Sequence, residues 1–265
     1  MLMRGLCALV ATSLLLLLPA TAAVAQEEPD IEFFYPVVTR RPVIERELEL
    51  RVKHEKGRDG RETEMAAAIE LPLLPRWQIE LEVPVVIADP RDATSAAGFG
   101  DLAVENKFLL WKSVEHRALV AAGFELTLPS GSERRGLGGE FAAEPFVSAG
   151  IAVGPFDLLG NVAYEWNLNS HVEGQREQEL TANLALGYRV SRWLTPFLEL
   201  DSVTRTSGAL DEGGPRLRGR VQLYLTPGFN VRPLPGMTFR AGVQLPVTDA
   251  RTFDYAVHAG LVWEF

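Results

Sequence analysis

The sequence predicts an all-β protein, a twelve-stranded antiparallel transmembrane β-barrel of the outer-membrane type. Three observations carry this prediction: an N-terminal export signal, alternation of apolar and polar residues from about residue 42 to the end, and connections that are alternately short and long. Successive side chains of a strand point to opposite faces, so the alternation produces one apolar and one polar face. A barrel wall that separates lipid from a polar interior has these two faces.

The chain opens with the features of a secretory signal peptide over residues 1–25. Arg4 supplies a positive charge, residues 6–18 are an apolar run, and residues 23–25 form a small-residue cleavage site. An uncleaved membrane anchor is the alternative, and the cleavage site disfavours it. The single cysteine, Cys7, would be removed with the signal, which excludes disulfides, thiol catalysis and thiolate metal sites from the mature chain.

Residues 26–41 show no sustained period and contain two prolines, so we expect a periplasmic N-terminal extension there and the barrel over residues 42–265. The clearest alternation is WQIELEVPVVI at 77–87, and Asn106 is a polar residue on an otherwise apolar face. The predicted strands comprise residues 42–54, 62–71, 77–87, 101–111, 117–128, 144–153, 157–168, 178–190, 194–204, 217–231, 237–247 and 253–265. An even number of strands brings both ends of the barrel to one side.

The last strand, FDYAVHAGLVWEF, is apolar on one face up to its final residue, Phe265. On a soluble sheet edge such a face invites aggregation, whereas outer-membrane lipid accommodates it. In a closed barrel this strand must pair with the first strand of the same chain.

The connections and the tryptophans support the same orientation of the strands. Connections on one side of the predicted barrel are short, and those on the other side are longer and rich in Gly, Ser, Asp and Pro, as in outer-membrane barrels. Trp77, Trp111, Trp193 and Trp263 fall on the short-turn side, and Trp166 falls near the long loops. Indole rings prefer the boundary between lipid and water, and a soluble sandwich has no reason to sort them in this way.

The polar face carries the candidate functional residues, since it would line the lumen. Charged rows on that face either select permeants by charge and size, or pair with each other and fill a narrow barrel. A hairpin that sets Glu199 opposite Arg220 and Asp201 opposite Arg218 would illustrate the second case. The candidate lumen-lining residues are Glu80, Glu82, Glu105, Lys107, Glu125, Glu165, Arg189, Glu199, Asp201, Arg218, Arg220 and Arg240.

Several other classes of function are disfavoured. The net charge of −9 argues against nucleic-acid binding, because the nucleic-acid backbone is also negatively charged. The four histidines are scattered without metal-ligand spacing, so no metal site is predicted. Ser170 and His171 are adjacent in a loop and lack a fixed nucleophile–base geometry, and the glycine-rich stretch 136–139 has no helix or lysine after it. We therefore predict no catalytic residues and no cofactor.

Three stretches resemble a known family: GFGDLAVENKFLLW at 98–111, GFELTLPSGSERRGLGGE at 123–140 and LTPFLELD at 194–201. They are similar to the bacterial outer-membrane family named after the MetA pathway of phenol degradation, and the resemblance covers roughly residues 65–265. It implies a transport role, with aromatic or apolar small molecules as cargo, and supplies no catalytic residues. Phe265 resembles the terminal aromatic residue that the barrel-assembly machinery recognises.

The resulting expectation is an outer-membrane channel or transporter that passes small molecules. A structural barrel whose lumen is filled by side chains is the nearest alternative, because twelve strands enclose only a modest interior. An outer-membrane lipid hydrolase is a remote third possibility.

Overall fold

The structure is a computed structural model that describes residues 31–169, 178–207 and 217–265. The predicted signal peptide and the Ser170–His171 pair lie outside these residues. The strands are β1 (Glu47–Lys56), β2 (Gly60–Leu74), β3 (Trp77–Pro90), β4 (Ala96–Phe99), β5 (Leu102–Ser113), β6 (Ala118–Leu128), β7 (Ala142–Val153), β8 (Phe156–Asn167), β9 (Gln178–Tyr188), β10 (Leu194–Ser207), β11 (Val221–Leu234), β12 (Met237–Pro246) and β13 (Tyr255–Glu264). A short 3-10 helix spans Glu133–Arg135.

The strands form one closed antiparallel sheet. The last strand, β13, pairs with β1 from Glu47 opposite Glu264 to Lys56 opposite Tyr255, which closes the wall. The short β4 and the longer β5 pair with successive parts of β3, so together they occupy one position in the wall. The barrel therefore has twelve strands, and the fold prediction is confirmed.

The outer face of the wall is apolar, as the alternation predicts. Exposed large side chains occur on strands around the barrel, and examples are Leu81, Leu184 and Phe239. Asn106 also points outward, where its Oδ1 accepts a hydrogen bond of 3.2 Å from the indole Nε1 of Trp77. The polar residue that breaks the pattern is thus paired at the short-turn end. No helix within the described parts of the chain is long and apolar enough to cross a membrane.

Two predicted strand starts are wrong. The first strand begins at Glu47 rather than at residue 42, because the residues before it contact the wall at the short-turn end. There the amide of Glu45 donates to Gln78 Oε1. Strand β11 begins at Val221 rather than at residue 217, since Leu217 accepts a turn hydrogen bond of 2.9 Å from Arg220.

The predicted pairing between the tenth and eleventh strands is also wrong. Glu199 lies opposite Thr226 rather than Arg220, a register difference of six positions. Asp201 correspondingly lies opposite Tyr224 rather than Arg218. Alternation fixes which face a residue occupies but leaves any even shift of register open, so this pairing could not be decided from parity.

The glycine-rich motifs that carry the family resemblance meet at the long-loop end. The Asp101 carboxylate accepts hydrogen bonds from the amides of Gly131, Gly139 and Glu140, at 2.7–2.9 Å. A Cβ on Gly138 would lie 2.6 Å from the Asp101 carboxyl carbon, so the loop needs glycine there. The motif therefore holds the loop between β6 and β7 against the wall, which is a structural role.

The N-terminal segment, defined here as residues 31–46, runs inside the barrel. The residues predicted to form a periplasmic extension up to residue 41 thus lie, from Ile31 onward, among the lumen side chains. The segment contacts the wall near the short turns through Phe34, reaches strand centres at Val37–Arg40, and returns to the short-turn end at Glu45. The lumen is consequently shared between the wall and this segment.

The barrel lumen as a candidate channel

An apolar cluster fixes the N-terminal segment to one side of the lumen, near the short turns. Ile31, Phe33 and Phe34 pack with the buried Leu119, Ala152, Leu159, Ala185 and Phe197 of strands β6–β10. The rings of Phe34 and Phe197 stack with centroids 5.4 Å apart. A Cβ on Gly187 would lie 2.4 Å from the ring of Phe34, so this glycine allows the close approach. The segment therefore lies against the β6–β10 side of the wall.

Farther in, polar contacts hold the segment. Both carboxylate oxygens of Glu199 accept hydrogen bonds from it: the amide of Val37 donates at 2.7 Å and the amide of Thr39 at 2.8 Å. The Val38 amide and the Thr39 hydroxyl add bonds of 3.2 and 2.7 Å. A fully buried carboxylate that accepts four hydrogen bonds, three of them from consecutive backbone amides, is a strong anchor.

Arg40 is the ionic centre of the segment. Its guanidinium pairs with Glu105, Glu125 and Glu144 on three adjacent strands, and its Cζ lies 4.5 Å from the centroid of the Phe146 ring. The backbone amide of Arg40 donates to Asn161 Oδ1 at 3.0 Å. The chain thus supplies the cation that compensates three carboxylates of the wall.

A second polar cluster surrounds Tyr35 at the short-turn end. The Tyr35 hydroxyl contacts Glu47 Oε2 at 3.0 Å and Glu264 Oε1 at 2.6 Å, and Arg41 lies over the phenol ring at 3.7 Å. Burial raises the pKa of Tyr35, so the phenol stays protonated and is available as a donor. Asn230 exchanges two hydrogen bonds with the backbone of Tyr35, at 2.6 and 2.8 Å.

Glu47, Glu49 and Glu70 have carboxylate oxygens within 4.8 Å of one another. Each contacts a basic side chain: Arg41 for Glu47, Arg240 for Glu49 and Lys107 for Glu70. The three carboxylates are therefore part of an ion-pair network, and we assign no metal to them.

Two adjoining cavities lie in the part of the lumen formed by the described residues. The larger, about 700 Å³, lies toward the long loops and is bordered by residues of most strands. The smaller, about 190 Å³, lies between residues 35–41 of the segment and a wall that includes Glu47, Glu49, Glu70, Glu80 and Lys107. Arg40, Arg51, Glu82, Glu125 and Arg240 border both cavities. The two cavities thus share a polar border beside the segment, on the side opposite its apolar contacts.

The structure brings most of the predicted lumen residues inside the barrel. Glu105, Lys107, Glu199, Asp201 and Arg240 are buried there. Glu80, Glu82 and Glu125 border the cavities, and Glu165 lies opposite Glu179 on the inward face of β8. Arg189, just beyond β9, pairs with the buried Asp157. Their role in selectivity stays a prediction.

Two predicted lumen residues are misplaced. Arg218 and Arg220 are exposed and lie in the turn before β11, so neither lines the wall. The prediction is wrong because a loop was assigned to the strand.

Sequence reasoning also missed Arg40, Arg51, Glu49 and Glu144, which carry much of the ionic network. Glu49 and Arg51 alternate on the polar face of the first strand, and that signal could have identified them. Arg40 lies in a stretch without period, and its only signal is a pair of adjacent arginines before a proline.

The closed wall, its apolar outer face and its polar lumen define the class of protein: a porin-like β-barrel of the outer-membrane type. The family model described as MetA-pathway of phenol degradation matches residues 61–257. That is more than half of the chain, and the protein belongs to this family. No curated protein matches the chain.

Solved structures agree on the fold. An outer membrane channel from Pseudomonas putida F1 is similar with a TM-score of 0.64 and 12% identity, over 88% of this chain and 100% of that one. NanC porin gives 0.60 and 11% identity over 82% and 100% of the two chains. KdgM porin gives 0.54 and 11% identity over 83% and 99%. At these identities the likeness concerns the fold alone.

Proposed function

We propose that this protein is an outer-membrane channel that passes small polar molecules through the space between its wall and its N-terminal segment. The observation that carries the proposal is the pair of adjoining cavities, about 700 and 190 Å³, of which the smaller has an almost wholly charged wall. Water and polar solutes are compatible with such a lining, whereas the β6–β10 side is sealed by apolar packing. The channel fold of the relatives supports the same proposal.

Export through the signal peptide at residues 1–25 and insertion by the barrel-assembly machinery through the strand that ends at Phe265 are part of this proposal. An aromatic or apolar cargo, which the family resemblance implies, stays a prediction. The lumen does not favour it, because the bordering side chains of the smaller cavity are largely ion-paired.

A structural barrel with a filled lumen is the second candidate, and the anchoring of the N-terminal segment by Glu199 and Arg40 favours it. Purified protein reconstituted into liposomes decides between the two. For a channel we expect swelling that falls steeply as the solute grows from a pentose to a trisaccharide, because the space beside the segment is narrow. Absence of swelling with every solute, in protein shown to be folded by heat-modifiable gel mobility, would favour the structural barrel.

A further inference from the structure

Asp201 is the buried carboxylate on the border of the larger cavity that has no basic side chain within 4.0 Å in the described parts of the chain; Glu64 also has none but is only half-buried. The arginine and lysine side chains that border this cavity are Arg40, Arg51, Lys53, Arg205 and Arg240, and each lies within 4.0 Å of a carboxylate. Asp201, which borders the same cavity, has only uncharged donors: Thr226 Oγ1 at 2.9 Å and Gln244 Nε2 at 3.0 Å.

Both of these bonds reach Oδ2 of Asp201, and its Oδ1 has no hydrogen-bond partner among the described residues. Asp201 is only 1% exposed. A buried carboxylate with a free oxygen and no cation is costly unless something compensates it. The wall nevertheless holds it in place, since Gln244 is oriented in turn by His258 Nε2 at 3.2 Å.

Two neighbours of Asp201 also have polar side-chain atoms without a hydrogen-bond partner among the described residues. Asn183 lies directly opposite Asp201 on β9, and its Oδ1 has no partner in the described part of the chain. Gln222, on β11, has an unpartnered Nε2, and its Oε1 accepts a hydrogen bond of 2.9 Å from Tyr224. All three side chains are more than nine-tenths buried and border the larger cavity. Together they hold two unpartnered acceptors and one unpartnered donor, which are buried beneath the cavity surface, so a ligand reaches them by turning the side chains toward the cavity.

We infer that Asp201, Asn183 and Gln222 form a binding site for a small organic cation that carries an ammonium group and a neighbouring hydroxyl. An ammonium has three donors, and it would give one to Asp201 Oδ1 and one to Asn183 Oδ1. The hydroxyl oxygen would accept from Gln222 Nε2. An anion would have to displace a carboxylate from one of the paired basic groups, and a neutral solute would leave Asp201 uncompensated.

This inference rests on the proposed function, because it places the site on the path of the permeant. Binding is measured by calorimetry on the full barrel in detergent, with D-glucosamine, N-acetyl-D-glucosamine, D-glucose and D-glucuronate as probes. All four share a pyranose ring; glucosamine is a cation, glucuronate is an anion, and the other two are uncharged. We expect saturable binding of glucosamine, and at least tenfold weaker binding of the other three. Equal affinity for glucosamine and glucose, or no saturable binding of glucosamine, would overturn the inference.

Two variants localise the effect. Asp201→Asn keeps the shape of the side chain and should reduce glucosamine affinity at least tenfold, to the level of glucose. Glu64→Gln removes an equal charge from the border of the same cavity and should change the affinity less than threefold. If both variants have the same effect, the cation is attracted by the overall negative charge around the cavity and not by this site, and the inference is overturned. Binding without liposome swelling would overturn the channel alone, and swelling without this preference would overturn the site alone.

Discussion

Glu199→Ala should release the N-terminal segment from the wall. The carboxylate accepts bonds of 2.7, 2.8 and 2.7 Å from Val37, Thr39 and the Thr39 hydroxyl, besides a longer one from Val38. A hydrogen bond to a charged group contributes about 1.5–3 kcal/mol. Because neighbouring bonds are not additive, we take about 4 kcal/mol for the set. That corresponds to a roughly 1,000-fold rise in the ratio of undocked to docked segment.

Trypsin measures this ratio, since the bond between Arg40 and Arg41 is cleavable only when this central part of the segment detaches from the wall. When undocking is fast relative to cleavage, the cleavage rate follows the undocked population. We expect cleavage at this bond to accelerate by two to three orders of magnitude in Glu199→Ala, with the fragment identified by mass spectrometry. Asp201→Asn is the matched control, because its partners Thr226 and Gln244 belong to the wall. An acceleration below tenfold, or an equal one in the control, would refute the anchoring role of Glu199.

Three further outcomes are expected. A Val37→Cys/Gly242→Cys pair should form a disulfide, because a Cβ at Gly242 would lie 3.2 Å from Val37 Cγ2, near the ~3 Å that a disulfide requires between Cβ and the opposite sulfur. Liposome swelling should stay within twofold of that of the reduced protein, because the proposed path runs beside the docked segment; a large fall that returns on reduction would contradict that path. Asp101→Asn should weaken the loop at 131–140 by about 2 kcal/mol, seen as faster amide exchange there with an unchanged barrel; unchanged exchange would contradict the latch. Removal of Phe265 should lower the fraction of heat-modifiable barrel in outer membranes severalfold, and normal assembly would argue against a role in recognition.

The strands were predictable because two physical demands act on the same residues. Lipid requires apolar side chains outside and the lumen tolerates polar ones inside, so each wall strand carries a period of two. Strand β3 begins at Trp77 and β12 at Met237, as the alternation predicts. The prediction failed at Arg218 and Arg220, which lie in the turn before β11. The sequence of that turn also alternates polar and apolar residues, so alternation could not distinguish the turn from the strand.

The register and the N-terminal segment were not predictable in the same way. Pairing between strands depends on how long each loop is and where each strand begins, which parity does not encode. The segment has no period because each of its residues faces a different surface. Phe34 packs on a ring, Val37 donates its amide to Glu199, and Arg40 pairs with three carboxylates.

The lumen wall explains why the segment carries Arg40 at strand centres, while its phenylalanines pack near the short turns. Glu105, Glu125 and Glu144 lie on adjacent strands, and three close carboxylates repel one another without a cation between them. Arg40 provides that cation, so the segment stabilises the wall as much as the wall holds the segment. Such contacts can be exchanged for water when the segment moves, whereas the packing around Phe34 cannot. The apolar end should therefore stay docked while the ionic centre moves, and trypsin should cut at Arg40 without releasing residues 31–35 from the barrel.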